Sequence, residues 1–526
     1  MCIVATGRGR ILKSTRQIRM EKASKTASKR GCTTRLLLTV ISVAVGSCAQ
    51  VGFHCGVISA PSQVIQKFYN SSQIDRRGTI LTESTTRLLW AVTVSILCLG
   101  AAVGSILGGY AGDLIGRKRT LLANNVFSIL AALLVVVFAQ YLNVYETVIV
   151  ARFLAGINSG VSFTVAGLYL AEISPINLRG TLLVAVSIGN NVGLIISLVL
   201  SFYVFNHDYD WDILIGLTPF LLSLFALITL PFSPESPRWL LLEKKDERNA
   251  REALTIFRED ANIDDEIEEM YREAKLEEKC KVGVFHLFNP RNGRPEWRLP
   301  LAICVFFGAA NSFSGMNMLW FYSSSLLASA GLSRNQISLS MVLFGVDALI
   351  TSALCGRLCD RFGRRPVMLS SFVICTVLLA SFCATAILEE KFPWMTWISI
   401  AIIFLFIMFW NFGPGPVIFI VCPELWAQGP RQASHSITLQ LFWWGMFVCG
   451  QILPFLQKAI GAYTFAFFAS VLFVSSIFFY FYVPETNNVT FGETTEYFRR
   501  RSLGLGPEDN EDVTKVRLSL LKTSQV

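Results

Sequence analysis

Gly112–Lys118 reads GDLIGRK, and Cys359–Arg365 reads CDRFGRR. Each holds an Asp, two intervening residues, then Gly-Arg and a second base. Glu172–Arg179 (EISPINLR) pairs in the same way with Glu424–Arg431 (ELWAQGPR), each an acid seven residues before an Arg. Pro234-Glu235 pairs with Pro484-Glu485. The acids stand 247 residues apart (113 and 360), 252 apart (172 and 424) and 250 apart (235 and 485). Three motif pairs at nearly one offset mark an internal duplication.

What lies between the motifs is apolar. Of the 526 residues, 53% are hydrophobic and 16% charged, against roughly 25% charged in soluble domains. A membrane-crossing helix needs about 20 mostly apolar residues. Such runs recur near 36–58, 89–111, 120–140, 146–171, 181–204, 212–232, 299–329, 337–358, 367–388, 394–421, 433–456 and 461–483, numbered here spans 1 to 12. The sequence thus predicts an all-α polytopic membrane protein, twelve transmembrane helices in two six-helix pseudo-repeats. Parallel repeats of this kind are a transporter architecture, with the solute site at their interface near the midplane.

Charge sets the orientation. Between Arg8 and Arg35 there are ten Lys or Arg against one acid, Glu21. A basic block beside the first apolar run marks the cytoplasmic side, and accounts for the net charge of +9 without nucleic acid as a partner. Residues 1–35 are therefore read as a cytoplasmic tail. The mostly polar start is not a cleaved signal peptide; its acid-poor, Ser- and Arg-containing composition is shared with mitochondrial transit segments. Residues 36–232 form the first six-helix bundle and 299–483 the second. Between them, 233–298 is dense in charge with apolar residues at helical intervals, which predicts short amphipathic helices on the cytoplasmic face or a solvated linker. An even number of spans returns the tail 484–526, with Arg499, Arg500 and Arg501, to the cytoplasm.

Thirteen cysteines are present, none in a predicted outer loop, so no disulfide framework is expected. Cys355 and Cys359 share a helix face, but two ligands do not make a metal site. No metal or cofactor is expected. No nucleophile–base pair appears among the polar residues of the spans, which argues against an enzyme.

The repeated charges occupy the cytoplasmic ends of spans 2, 4, 8 and 10. Acid and base recurring together on one face predict a latch, a set of ion pairs that closes the inner ends of the two bundles. Arg152 joins this set because an Arg at helix depth usually has a partner. Pro414 and Pro416 fall inside span 10, where proline removes backbone hydrogen bonds and permits a gating hinge. Asn311, Ser314 and Asn317 recur every three residues in span 7, which predicts a polar stripe facing the lumen or a neighbouring helix.

Together GVISAPSQVIQKFYN (Gly56–Asn70), RFLAGINSG (Arg152–Gly160), PESPRWLL (Pro234–Leu241), SGMN (Ser314–Asn317), the passage from Gly413 through Arg431 and PET (Pro484–Thr486) carry a likeness. From about Gly46 to Glu485 the chain resembles the sugar porter family of the major facilitator superfamily, in particular animal facilitative glucose transporters. The resemblance implies alternating access at the plasma membrane, with a hexose-like solute and the lipid bilayer as partners. It also implies that Asp113/Arg117, Glu172/Arg179, Glu235/Arg238, Asp360/Arg364 and Glu424/Arg431 form a cytoplasmic charge network. It places a glycan on Asn70, in the loop after span 1, and leaves the Asn488 sequon unmodified inside.

The solute site departs from that family. Where it has glutamines, this chain has Ser187 on span 5 and Asn311 and Ser312 on span 7. Its Asn on span 8 is Ala348, and its Glu and Trp on span 10 are Asn411 and Phe419. Asn317, Trp443 and the outer-gate Tyr322 match. Fewer and shorter amides weaken a grip on ring hydroxyls, so restoring Gln-Gln at 311–312 is expected to raise hexose uptake. His54 stands where proton-coupled relatives have Asp and facilitative ones Asn; it reads as a neutral stand-in for Asn or as a titrating group. The expected function is an uncoupled carrier of a monosaccharide or polyol. A carrier of an organic acid or sugar derivative, a proton-coupled symporter and a non-transporting sugar sensor are the alternatives.

Overall fold

The computed structural model describes residues 33–503 apart from 59–61, 140–141, 176–177, 205–210, 259–262, 265, 269, 272–294, 317–326, 328–330, 390, 393, 427 and 487–490. Every regular element among the described residues is helical. Span 1 is Thr34–Gly56, span 2 Glu83–Ile115, span 3 Arg117–Ala139, span 4 Glu146–Ile173, span 5 Gly180–Ser201 and span 6 Trp211–Phe232. Span 7 begins with Arg298–Ser312; spans 8 and 9 are Arg334–Phe362 and Arg364–Leu388. Span 10 is Met395–Phe412 followed by Pro414–Glu424, span 11 Gln428–Ile460 and span 12 Tyr463–Tyr482. Several helices run past the apolar windows because polar ends such as Glu83–Arg87 belong to the helix without belonging to the hydrocarbon.

The surface is inverted relative to a soluble protein. On span 2, Ser105 is fully buried while its neighbour Ile106 is 59% exposed. Exposed Leu, Ile, Val and Phe recur along spans 3, 6, 9 and 12, a face suited to lipid. Some buried polar groups satisfy each other inside. Asn124 and Asn158 each donate to the other's backbone carbonyl, at 2.9 and 3.2 Å, joining spans 3 and 4. Gln50 of span 1 donates to Asn125 Oδ1 at 3.0 Å.

Small residues let backbones touch, as in membrane helix pairs generally. Spans 1 and 5 meet so closely that a Cβ at Gly52 would lie 1.7 Å from the Asn190 carbonyl oxygen, and one at Gly193 1.8 Å from that of Ala49.

The two halves meet along two seams, spans 2 with 11 and spans 5 with 8. Side-chain amides stitch both. Gln440 donates to the Ala102 carbonyl at 2.6 Å, and Gln451 to that of Ala91 at 3.3 Å. Asn191 donates to the Ala348 carbonyl and to Ser352 Oγ, each at 3.0 Å.

Between the halves, the helix Glu247–Arg258 buries Leu254 and Phe257. Arg258 donates to the Ile173 carbonyl at the end of span 4, at 2.9 Å, and pairs with Glu266. Thr33 Oγ1 donates to the Phe257 carbonyl at 3.1 Å, so this helix braces the start of span 1 as well. After span 12 a helix covers Phe491–Ser502. There the Arg499 guanidinium, hydrogen-bonded to Glu496, holds that carboxyl below its ordinary range.

Two expected elements differ. Asn70 stands on a helix, Ser62–Arg77, instead of a loop. Asn70 is half-buried there, and the Ser72 hydroxyl is buried and donates to the Asn143 carbonyl. Span 7 is not continuous: its helix stops at Ser312 and the chain turns at Gly315, with φ of +81°. Ser314 Oγ closes that turn, donating to the Asn311 carbonyl at 2.9 Å and accepting from the Met316 N–H. Ser314 therefore serves the turn instead of the three-residue polar stripe, whose third member, Asn317, lies outside the described residues. Counting apolar residues cannot see such a break.

Candidate functional site

A cavity of about 220 Å³ lies between the halves at mid-span. Spans 1, 2, 4 and 5 supply one wall and spans 7, 8, 10 and 11 the other. Five of the seven expected solute contacts line it: Ser187, Asn311, Asn411, Phe419 and Trp443. Asn317 and Tyr322 lie outside the described residues. Phe163, missed in the sequence, forms an aromatic wall with Trp443 and Phe419, at centroid distances of 5.9 and 5.5 Å. Asn190 also lines it, three residues after Ser187 on span 5, a spacing that could have been noticed. The indole N–H of Trp443 is buried without a hydrogen-bond partner among the described residues.

Ser312 requires a correction. It is turned away from the cavity, donating to the Gly308 and Phe442 carbonyls at 3.0 and 2.8 Å. A Cβ at Gly445 would fall 2.4 Å from Ser312 Cβ, so spans 7 and 11 touch here. A Gln at 312 would be driven into span 11. We therefore expect S312Q to lower stability by about 1–3 kcal/mol, the usual cost of overpacking, with N311Q tolerated. Thermal unfolding in detergent checks this; equal midpoints for the two variants would place Ser312 on the cavity wall after all.

The break in span 10 falls at Gly413, whose Cβ position is only 2.5 Å from Ser371 Cβ. Pro414 opens the second segment, where a missing N–H costs nothing, and Pro416 sits in its first turn. The prolines thus start a helix instead of kinking one. Asn311 Nδ2 donates to the Pro414 carbonyl at 3.1 Å, tying the broken regions of spans 7 and 10 together.

Both His54 ring nitrogens are buried with no hydrogen-bond partner among the described residues. Its backbone carbonyl instead accepts from Arg152 Nη1 at 2.9 Å, and Arg152 itself lines the cavity.

At the end carrying the repeated motifs, the two halves have the same construction. Arg117 pairs with Asp113 at 2.9 Å and Glu172 at 3.0 Å; Arg364 pairs with Asp360 at 3.1 Å and Glu424 at 3.7 Å. Ser236 donates to Glu172, and Thr486 donates to Glu424. The Pro-Glu acids cap helices. Glu235 accepts from the Lys118 N–H at 2.9 Å, and Glu485 from the Arg364 and Arg365 N–H groups at 2.9 and 3.1 Å. A carboxylate at a helix N-terminus offsets the exposed N–H dipoles. The motif glycines make room: Gly116 and Gly363 have φ of +105° and +94°, and a Cβ on either would lie 2.6 Å from the capping carboxylate.

The ion pairs of Arg117 with Asp113 and Glu172 and of Arg364 with Asp360 and Glu424 each lie within one half. Arg117 opens span 3, which packs against span 4, so its acid comes from there. Among the described residues, Thr181 Oγ1 crosses between the halves at this end, donating to Asp360 Oδ2 at 2.8 Å. The side chains of Arg179 and Arg431 lie outside the described residues, and Arg238 has partners of its own.

Two six-span bundles enclosing one cavity between them have the architecture of a membrane carrier of the major facilitator fold. The solved proton:xylose symporter XylE, bound to 6-bromo-6-deoxy-D-glucose, superposes with a TM-score of 0.75 over 88% of this chain and 98% of that one, at 18% identity. A model of the family described as sugar (and other) transporter matches residues 39–498, and the chain belongs to that family. Among its relatives is solute carrier family 2, facilitated glucose transporter member 7 of Mus musculus, 35% identical over 91% of this chain and 93% of that protein. Member 9 of Homo sapiens is 33% identical over 91% and 88%, and member 5 of Ovis aries 32% identical over 90% and 95%. The chain is a multi-pass membrane protein of a carrier family, not an enzyme.

Proposed function

We propose that the chain is a facilitative, uncoupled carrier of a monosaccharide or related polyol, working by alternating access. The observation that carries this reading is the cavity itself, enclosed by both halves at mid-span and lined by amides, a serine and an aromatic wall. Ser187, Asn311, Asn411, Phe419 and Trp443 would contact the solute, with Asn317 completing the polar set and Tyr322 gating the outer side. No carboxylate lies among the described lining residues, which supports uniport over proton symport. The motif end, with both termini, faces the cytoplasm of the plasma membrane, and Asn70 bears a glycan on the outer side.

Counterflow in proteoliposomes tests the reading. Labelled monosaccharides are expected to exchange, with a rate unchanged by a protonophore. Accumulation of solute driven by an imposed proton gradient would make the chain a symporter, and binding without flux would make it a sensor.

A further inference from the structure

We propose that Gln440 and Gln451 are a pair of gating residues, two amide clasps on opposite edges of the seam between spans 2 and 11. Their relative strength sets which side of the membrane the cavity faces. This rests on the reading of the chain as an alternating-access carrier. Gln440 Nε2 donates to the Ala102 carbonyl at 2.6 Å and also to Ser105 Oγ. Gln451 Nε2 donates to the Ala91 carbonyl at 3.3 Å and also to Ser95 Oγ. A side-chain amide has two N–H groups, and each glutamine spends both on the opposite half. The serines bond back to their own helix, Ser105 Oγ donating to the Ala102 carbonyl at 2.9 Å and Ser95 Oγ to that of Ala91 at 2.8 Å. One construction occurs twice on the same seam.

The two clasps flank the cavity. The glutamines stand eleven residues apart on span 11 (440 and 451), and the carbonyls they reach eleven apart on span 2 (102 and 91). Eleven residues of helix are about 16 Å. Span 2 runs toward the motif end and span 11 away from it, so Gln440 and Ser105 lie on the motif side. Gln451 and Ser95 lie on the far side. Between the clasps stand the cavity-lining Leu97 and Cys98 of span 2 and Phe442, Trp443 and Met446 of span 11. Rocking of two rigid halves about a central site parts one edge of a seam while the other stays shut. Opening the motif side therefore undoes the Gln440 clasp, and opening the far side undoes that of Gln451. Both are made in this structure, so the seam is shut at both edges. Water entering an opened edge satisfies the released amide, so a clasp can part without stranding a buried polar group. Each clasp stabilises closure of its own side, and the two populations follow from the difference.

Hydrogen–deuterium exchange of the full chain in lipid nanodiscs tests this on Q440N and Q451N. Both keep the amide but withdraw it by one carbon–carbon bond, about 1.5 Å. The readout is the ratio of exchange in the motif-side halves of spans 2 and 11 to exchange in their far-side halves. An interhelical side-chain bond in a membrane is worth a factor of about three. Losing two is expected to raise the ratio about tenfold in Q440N and to lower it about tenfold in Q451N. The double variant is expected to return the ratio to the wild-type value. S105A and S95A, each removing one bond, are expected to move it about threefold in the same two directions, and they decide should the glutamine variants fail to fold. Exchange raised equally at both ends by each single variant makes the glutamines merely structural and overturns the proposal, as does a shift in the same direction for both. Counterflow of labelled monosaccharides through the wild type reads the carrier function separately. Counterflow with an unchanged ratio in the variants overturns the clasps alone; no counterflow overturns the carrier reading and this inference with it.

Discussion

G193A is expected to abolish the folded carrier, whereas G450A leaves it intact. A Cβ at Gly193 would fall 1.8 Å from the Ala49 carbonyl oxygen, where no flexible side chain can give way. Spans 1 and 5 would have to part along their whole contact. The cost is about 3 kcal/mol, the upper part of the overpacking range, and it falls on two of the four helices that form one cavity wall. At Gly450 the same methyl meets Ser95 Cβ at 3.9 Å, an ordinary van der Waals contact. Size-exclusion profiles of both variants in detergent check this. Equal monodisperse yields would mean that spans 1 and 5 do not pack as described.

The second large effect is expected from R117A. Arg117 is 8% exposed at its side chain and holds Glu172, itself 13% exposed. Removing one partner of a buried pair strands the other charge and costs about 3–5 kcal/mol. D113A removes a carboxylate that is 44% exposed, where solvent screening leaves about 0–1 kcal/mol. Thermal unfolding should therefore separate the two variants widely, with R117A also slowing flux. Similar midpoints would show that Arg117 and Glu172 are not a buried pair.

How far the sequence anticipates this structure depends on range. Spans whose apolar runs exceed the membrane thickness are legible from composition, and the motif pairs at one offset reveal the two halves. The salt bridge from Asp113 to Arg117 joins residues four apart across the Gly116 turn between spans 2 and 3, so the shortness of the motif suggests it. Glu235 capping span 3 is another matter: it joins residues more than a hundred positions apart, and only the fold aligns the carboxylate with those N–H groups. Ser312 is misread for the same reason, since its orientation is decided by Gly445 on span 11. The turn at Gly315 hides within an apolar run because a single positive φ leaves no trace in hydropathy. Arg152 was expected to have a partner that spacing does not reveal; the fold supplies the His54 backbone carbonyl, and Arg152 stands in the cavity wall.

Alternating access requires the contact at the motif end to open. A Cβ at Gly356 of span 8 would lie 3.5 Å from Thr181 Cα of span 5, close enough for a disulfide between the halves. The decisive measurement is solute flux through the double variant T181C/G356C in proteoliposomes before and after oxidation. Flux should fall to background when the bridge forms and return on adding reductant. Undiminished flux through the cross-linked protein would show that the halves need not separate there.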